Sequence, residues 1–150
     1  PYYTRMKIRP FKQTDAKKVA ELSNSNAEFF QYTNVSEDFL KKMWEHPNYH
    51  LFVLTEGNQL IGFCGINLSD SPVAEIGPIL IEKGRRTEGL GRLLFEDILE
   101  SLDELGAKKL IIKVKTSNIG AQEFFERQGF LKTEGVMVND IPAIIMEKEL

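Results

Sequence analysis

Between Ala74 and Leu105 an apolar, strand-like run passes through Arg86-Thr87-Glu88-Gly89-Leu90-Gly91 directly into a long amphipathic helix. That order restricts the chain to folds in which a strand delivers a loop of backbone to a helix start. Glycine at 89 and 91 removes the side chains that would keep a ligand from the backbone. The opening turn of the helix adds unpaired N–H groups and the positive end of a dipole. Such a junction cradles an anion, and a diphosphate has the right size. The same two glycines also ease an ordinary strand-to-helix turn, so the pattern alone leaves both readings open.

The rest of the chain supplies a sheet around this unit. Met6 to Pro10 reads as a short strand, and Thr14 with Asp15 starts a helix whose Ala16, Val19, Ala20 and Leu22 face inward. Ser36, followed by Glu37 and Asp38, opens a second helix ending near Trp44. Tyr49 to Thr55 and Leu60 to Leu68 form a hairpin around Glu56-Gly57-Asn58-Gln59, and Ala74 to Ile81 is the next strand. The helix from Gly89 to Leu105 carries Leu90, Leu94, Ile98, Leu102 and Leu105 near one face, and Gly106 stops it. Lys109 to Val114 is a strand, Ile119 to Gln128 a helix ended by Gly129, and Phe130 to Met137 with Ile141 to Leu150 a hairpin around Asn139-Asp140. The expected fold class is α/β, a mixed sheet of about seven strands with about four helices packed on it, in one domain spanning 1–150.

Composition narrows the function. A chain of 150 residues with 42% hydrophobic content can bury a substantial core. The net charge is −3 with cations scattered among acids, which argues against a nucleic-acid partner. Apolar runs such as Leu51 to Leu54 and Ala143 to Met146 are far shorter than the roughly 18 residues of a membrane span. The lone Cys64 has no disulfide partner in the chain, so a reducing, cytoplasmic setting is expected. With no histidine spaced to activate it, Cys64 reads as core. His46 and His50 lack ligand-type spacing, so no metal is expected. Residues Pro1 to Arg5 precede Met6 and read as an extension of uncertain origin.

Two nucleotide-binding alternatives fail on single residues. A dinucleotide fold wants a third glycine where Leu94 stands, and a P-loop wants Gly-Lys-Ser or Gly-Lys-Thr where the chain has Gly91-Arg92-Leu93. The stretch Ile79 to Gly91 instead resembles the acetyl-coenzyme A signature of the GNAT N-acetyltransferase superfamily, Arg/Gln-x-x-Gly-x-Gly/Ala after a strand. A second family motif follows as Asn118-x-x-Ala121-x-x-Phe124-Phe125-x-Arg127-x-Gly129-Phe130. Both motifs fall in the family's order and on its elements, and the resemblance covers nearly the whole chain.

The resemblance implies a sheet whose strands splay apart beside the first motif, with the pantetheine arm of acetyl-coenzyme A lying along Ile79-Leu80-Ile81 as a short extra strand. By position, the Ile81 N–H would hold pantetheine and the Ile79 N–H would face the thioester oxygen, an oxyanion donor of the kind worth roughly 3 kcal/mol. Pro78 has no N–H to offer, and Gly77-Pro78 reads as a strand break or a bulge at the splay. Amides from Arg86, Thr87, Glu88, Gly89, Leu90 and Gly91 would receive the pyrophosphate, helped by the Arg86 and Arg92 side chains, while Lys83 and Arg85 read as solvated. Asn118 matches a position that bonds pantetheine and is equally a helix N-cap. Phe124 and Phe125 lie beside the implied cofactor, where Phe124 reads first as core.

For chemistry, the resemblance implies acetyl transfer to a primary amine, of a small molecule or a protein, by direct attack through a tetrahedral intermediate. A protonated amine must first lose a proton, and Glu75 stands where some members keep a catalytic glutamate, although strand-edge exposure also explains it. Many members place a proton-donating tyrosine at the position of Phe125, which has no proton to give. Water can protonate a thiolate whose thiol pKa is about 8.5; Tyr32 and Tyr49 are other donors without a sequence-fixed place. That departure motivates a rival reading, a non-catalytic acyl-coenzyme A sensor, and a third in which only the fold is retained. The segment Asn24 to Trp44, with Phe29, Phe30, Tyr32 and Phe39, is where the family builds acceptor specificity; packing explains these aromatics equally. Homodimers are common among such folds, and no patch in this sequence demands one.

Overall fold

The computed structural model describes residues 5–25, 35–82 and 89–150. Period-two alternation builds its sheet: in Lys109–Lys115 the residues Leu110, Ile112 and Val114 are buried while the residues between them reach the opposite face. The elements are β1 (Met6–Pro10), α1 (Ala16–Ser25), α2 (Glu37–Glu45), β2 (Tyr49–Glu56), β3 (Gln59–Asp70), β4 (Val73–Ile81), α3 (Leu90–Glu104), β5 (Lys109–Lys115), α4 (Ile119–Arg127), β6 (Leu131–Val138) and β7 (Ile141–Glu149). One seven-stranded sheet has the order β1-β2-β3-β4-β5-β7-β6, with β4 and β5 parallel and the other neighbours antiparallel.

Each face of the sheet has its own core. On one, Ala74, Ile76, Ile79 and Ile81 of β4 and Leu110, Ile112 and Val114 of β5 pack with Leu90, Leu94, Phe95, Ile98 and Leu102 of α3 and Ala121 and Phe125 of α4. On the other, Leu51, Val53, Phe63 and Leu80 meet Val19 and Leu22 of α1 and Leu40 and Met43 of α2. The α3 stripe holds as expected except at its end, where Leu105 is the C-cap and 43% exposed; Phe95, beside the stripe, is the buried residue that the stripe omits.

Helix ends follow local chemistry. The Ser36 hydroxyl accepts the Phe39 N–H at 3.1 Å and caps α2. α3 and α4 both finish in a glycine of positive φ, Gly106 at 79° and Gly129 at 93°. In each, the next N–H reaches back over the turn, Ala107 to the Leu102 carbonyl and Phe130 to the Phe125 carbonyl. Phe130 thus belongs to the α4 cap, its ring 5.2 Å from that of Phe125, and β6 starts one residue later than the sequence suggests. Asn139 and Asp140, at φ 50° and 65°, make the two-residue β6–β7 turn, whose left-handed residues suit the twist of the flanking strands.

The start of α1 departs from expectation. Thr14 and Asp15 lie in a 3₁₀ turn, Gln13–Asp15, and α1 begins at Ala16. The Asp15 carboxylate is drawn to Arg9, whose guanidinium donates twice, at 2.8 and 2.9 Å, and it accepts the Lys12 N–H at 2.8 Å. This hydrogen bonding holds the buried Asp15 carboxyl below its ordinary pKa of 3.8. A depressed pKa contributes stability above the unfolded value and loses it as pH falls through the folded one. Asp15→Asn is therefore expected to cost roughly 1.5–3 kcal/mol at pH 7. In urea melts repeated from pH 7 to pH 2, the gap to wild type should close below 3.8; a gap constant over that range would show that the charge of Asp15 contributes nothing.

Candidate active site at the parting of β4 and β5

β4 and β5 pair as parallel neighbours through Val73–Lys109, Ala74–Leu110 and Glu75–Ile111; beyond this last rung no pairing joins them among the described residues. The parting coincides with a bulge. β4 pairs with β3 through Ile76–Ile66, and then, with one extra residue on β4, through Ile79–Cys64, so Gly77 and Pro78 share a single partner position. Pro78 is tolerated there because a bulge releases a backbone position from the ladder.

Hydrogen-bond alternation fixes which groups line the gap. The Glu82 N–H bonds the Ile61 carbonyl at 2.9 Å, so Leu80, two residues earlier, also faces β3. Ile79 and Ile81 therefore turn their backbone groups toward the gap, and both residues are buried, at 1% exposure each. Leu80 is turned the other way, with backbone toward β3 and side chain in the α1–α2 core, which leaves it no group to contact a ligand in the gap. On the opposite bank, the bonds from Leu150 to the Lys108 carbonyl and from Thr116 to the Pro142 carbonyl assign the even positions of β5 to β7. Lys113 and Lys115 consequently present their backbones to the gap.

Two side chains of α4 organise that bank. Asn118 caps α4, its Oδ1 accepting the Ala121 N–H at 3.1 Å. Gln122, 3% exposed, donates through Nε2 to the Lys115 carbonyl at 3.2 Å and to the Thr116 carbonyl at 2.9 Å. Sequence reading missed Gln122; a lone glutamine on the inner face of a helix is its only trace.

Gly89 precedes α3 as its N-cap, exposed and at φ 76°, ψ 12°. A left-handed residue at this point is why the chain needs glycine there. Leu90 is fully buried and packs into the α3 side of the core. Gly91 lies over Phe124, where an added Cβ would come within 3.7 Å of the ring. Arg92 pairs with Glu96 at 2.8 Å in the next turn, on the exposed side of the helix. Arg86, Thr87 and Glu88, with Lys83 and Arg85, lie outside the described residues, as do Phe29, Phe30 and Tyr32.

Both Phe124 and Phe125 pack with the core, and Phe125 is the deeper of the two. Phe125 is fully buried, 6.2 Å from Phe95 and 5.1 Å from Phe124, whereas Phe124 is half-buried at the edge of the core. α4 turns Phe125 inward along with Ala121 and Gln122. Glu75 sits on the last paired rung, about one-third exposed, with Lys113 Nζ 3.5 Å from its Oε2. Cys64 is buried, and burial pushes its thiol pKa far up, so it is inert packing. Tyr49 packs its ring against His46 at the start of β2.

A gap beside a buried strand with no strand partner there among the described residues, followed by a helix that starts on a left-handed glycine, is the arrangement that an extended amide-bearing arm and an anionic head would need. Comparisons with known proteins give the family. The acetyltransferase (GNAT) family matches residues 17–130. A provisionally named ribosomal protein bS18-alanine N-acetyltransferase of Bacillus subtilis (strain 168) is 29% identical over 126 residues, 84% of this chain and 81% of that protein. The fold is shared with the Escherichia coli ribosomal-protein-S18-alanine N-acetyltransferase, at TM-score 0.82 and 22% identity over 96% of this chain and 93% of that one. It is shared equally with the PaiA N-acetyltransferase of Thermoplasma acidophilum in complex with coenzyme A, at TM-score 0.83 and 15% identity over 97% and 99%. No described helix is long and apolar enough to cross a membrane. This chain belongs to the acetyltransferase (GNAT) family, whose members are acetyl-coenzyme A-dependent N-acetyltransferases.

Proposed function

We propose that this protein moves an acetyl group from acetyl-coenzyme A to the primary amine of a protein or peptide, by direct attack with Glu75 as base. The parting of β4 from β5 immediately after Glu75 is the observation that carries this reading. The alanine acceptor in the name of the B. subtilis relative supports an α-amine as the first acceptor to test. Acetyl-coenzyme A supplies an acetyl group activated as a thioester. The Ile81 N–H pairs with the pantetheine arm and the Ile79 N–H donates to the thioester oxygen as charge gathers on it. Asn118, whose oxygen is committed to the helix cap, offers its amide N–H groups to the arm. The half-buried edge of Phe124 borders the arm. The start of α3, from Gly89 to Arg92, receives the pyrophosphate together with the loop Arg86-Thr87-Glu88. As the amine nitrogen bonds to the carbonyl carbon and the carbon–sulfur bond breaks, the nitrogen's proton passes to Glu75 and the sulfur keeps the electron pair. Water then protonates the thiolate, since Phe125 has no proton to give. A reducing cytoplasm suits a chain whose single cysteine is a free thiol.

Calorimetric titration with acetyl-coenzyme A, for wild type and Gly89→Asp, tests the site. Aspartate enters the left-handed region more readily than most residues, so the variant should fold at a cost of about 1 kcal/mol. Its carboxylate would repel the pyrophosphate. Micromolar binding by wild type, weakened at least about a hundredfold in the variant, is the expected result. Equal binding by both would move the cofactor elsewhere, and no binding by either would end the proposal. The buried, protonless Phe125 favours a second reading, a sensor, which would bind acetyl-coenzyme A and release no thiol when a peptide amine is added.

A further inference from the structure

Lys113 lies on β5 two residues beyond Ile111, the partner of Glu75 on the last rung that β4 and β5 share, and its Nζ reaches back to within 3.5 Å of Oε2. Alternation explains how it comes to be there. Leu110, Ile112 and Val114 enter the α3–α4 core, so Lys109, Ile111 and Lys113 emerge on the face that also carries Glu75. The two lysines then diverge. Lys109 turns to β7, reaching Glu147 at 3.5 Å and Glu149 at 3.7 Å, whereas Lys113 turns to β4.

The fold gains little from this pair. The two side chains are 37% and 35% exposed, and an ion pair so open to water contributes at most about 1 kcal/mol. Its position matters more than its strength. Glu75 is a charged residue between buried Ala74 and Ile76, at the point where the strands part. A glutamate there has several rotamers to choose from, and a cation fixed on the neighbouring strand selects those directed toward β5 and the mouth of the gap. Orientation of this kind is costly to lose, because a shift of roughly 1 Å at a reacting group can lower a rate by two orders of magnitude.

We infer that Lys113 is a positioning residue: its ammonium holds the Glu75 carboxylate at the mouth of the gap, aimed to take the proton of the attacking amine. The inference rests on the proposed transfer with Glu75 as base. It requires that Lys113 act through Glu75 and contribute little to cofactor binding.

The test uses thiol release from saturating acetyl-coenzyme A with a short peptide bearing a free N-terminal alanine. Lys113→Met should lower kcat about tenfold with the peptide KM within about twofold, and Lys113→Arg should restore most of the rate. In a Glu75→Gln background, Lys113→Met should change kcat by less than about twofold, since its route of action is gone. A second readout needs no turnover. A water-soluble carbodiimide should join Lys113 Nζ to the Glu75 carboxyl as an amide with loss of water, detected by peptide mass mapping in wild type and absent in Glu75→Gln. The inference is overturned if the fall in kcat persists in the Glu75→Gln background, if arginine fails to rescue, if KM rises at constant kcat, or if the cross-link does not form. Wild type that binds acetyl-coenzyme A and releases no thiol with the peptide overturns the α-amine transfer itself, and this role with it. Turnover unaffected by Lys113→Met overturns the role alone.

Discussion

Glu75→Gln is expected to lower kcat by roughly 10²–10⁴ while leaving the affinity for acetyl-coenzyme A nearly unchanged. Glutamine keeps the size of the side chain and removes its ability to accept a proton. The affinity should survive because the groups assigned to the cofactor are backbone amides of Ile79 and Ile81 and the start of α3. Stability should survive as well, because the ion pair that Glu75 makes among the described residues is between side chains more than a third exposed. The pattern to look for is a fall in kcat and kcat/KM by the same factor, the mark of an interaction made only in the transition state. Steady-state thiol release, with the dissociation constant from calorimetry beside it, separates the outcomes. A rate within about threefold of wild type would mean that solvent removes the proton and would end the base role of Glu75.

Phe95→Ala is expected to destabilise the fold by about 3–5 kcal/mol. Phe95 is 1% exposed and joins α3 to α4 through the rings of Phe130 at 5.7 Å, Phe125 at 6.2 Å and Phe124 at 6.5 Å. Truncation removes a whole ring from among rings that cannot collapse into the space, since Phe125 and Phe130 are anchored by the cap that ends α4. For a chain of this length the loss corresponds to a fall in Tm of roughly 6–20 °C. Urea unfolding measures it directly, and a cost under about 1 kcal/mol would show that the aromatic cluster does not tie the two helices together.

The elements whose signals are local were legible from the residues alone. Alternation in Lys109–Lys115, glycine after α3 and α4, and Asn139-Asp140 between β6 and β7 each need only neighbours a few positions away. The misses arise where another group claims a residue or ends its element early. Thr14 and Asp15 look like a helix start, but Arg9 and the Lys12 N–H claim the carboxylate and tighten the turn. Phe95 escaped notice because the α3 stripe is wider than one row, and Leu105 was overcounted because the glycine stop pulls it out of the helix. At the site, Ile79 and Ile81 turn their backbones to the gap, and the roles that the motif resemblance assigns them belong to the proposal. Leu80 shows what a run of three names conceals, since the ladder turns every second residue away. Lys113 and Gln122 could not be read from sequence, because their partners are set by the pairing of β4 with β5 and by the docking of α4 on the end of β5.

The strand order has a consequence for how the protein is made. β7, the last strand of the seven to leave the ribosome, does not complete an outer edge; it inserts between β5 and β6. Until β7 emerges, β5 lacks its antiparallel neighbour along its whole length and β6 lacks the one strand that pairs with it among the described residues. The first four strands form a ladder of sequential neighbours and can assemble early, whereas the β5 bank of the gap waits until β7 has been made. A nascent chain therefore displays the raw flank of β5 to any passing strand, a hazard that ends only when β7 slides into place.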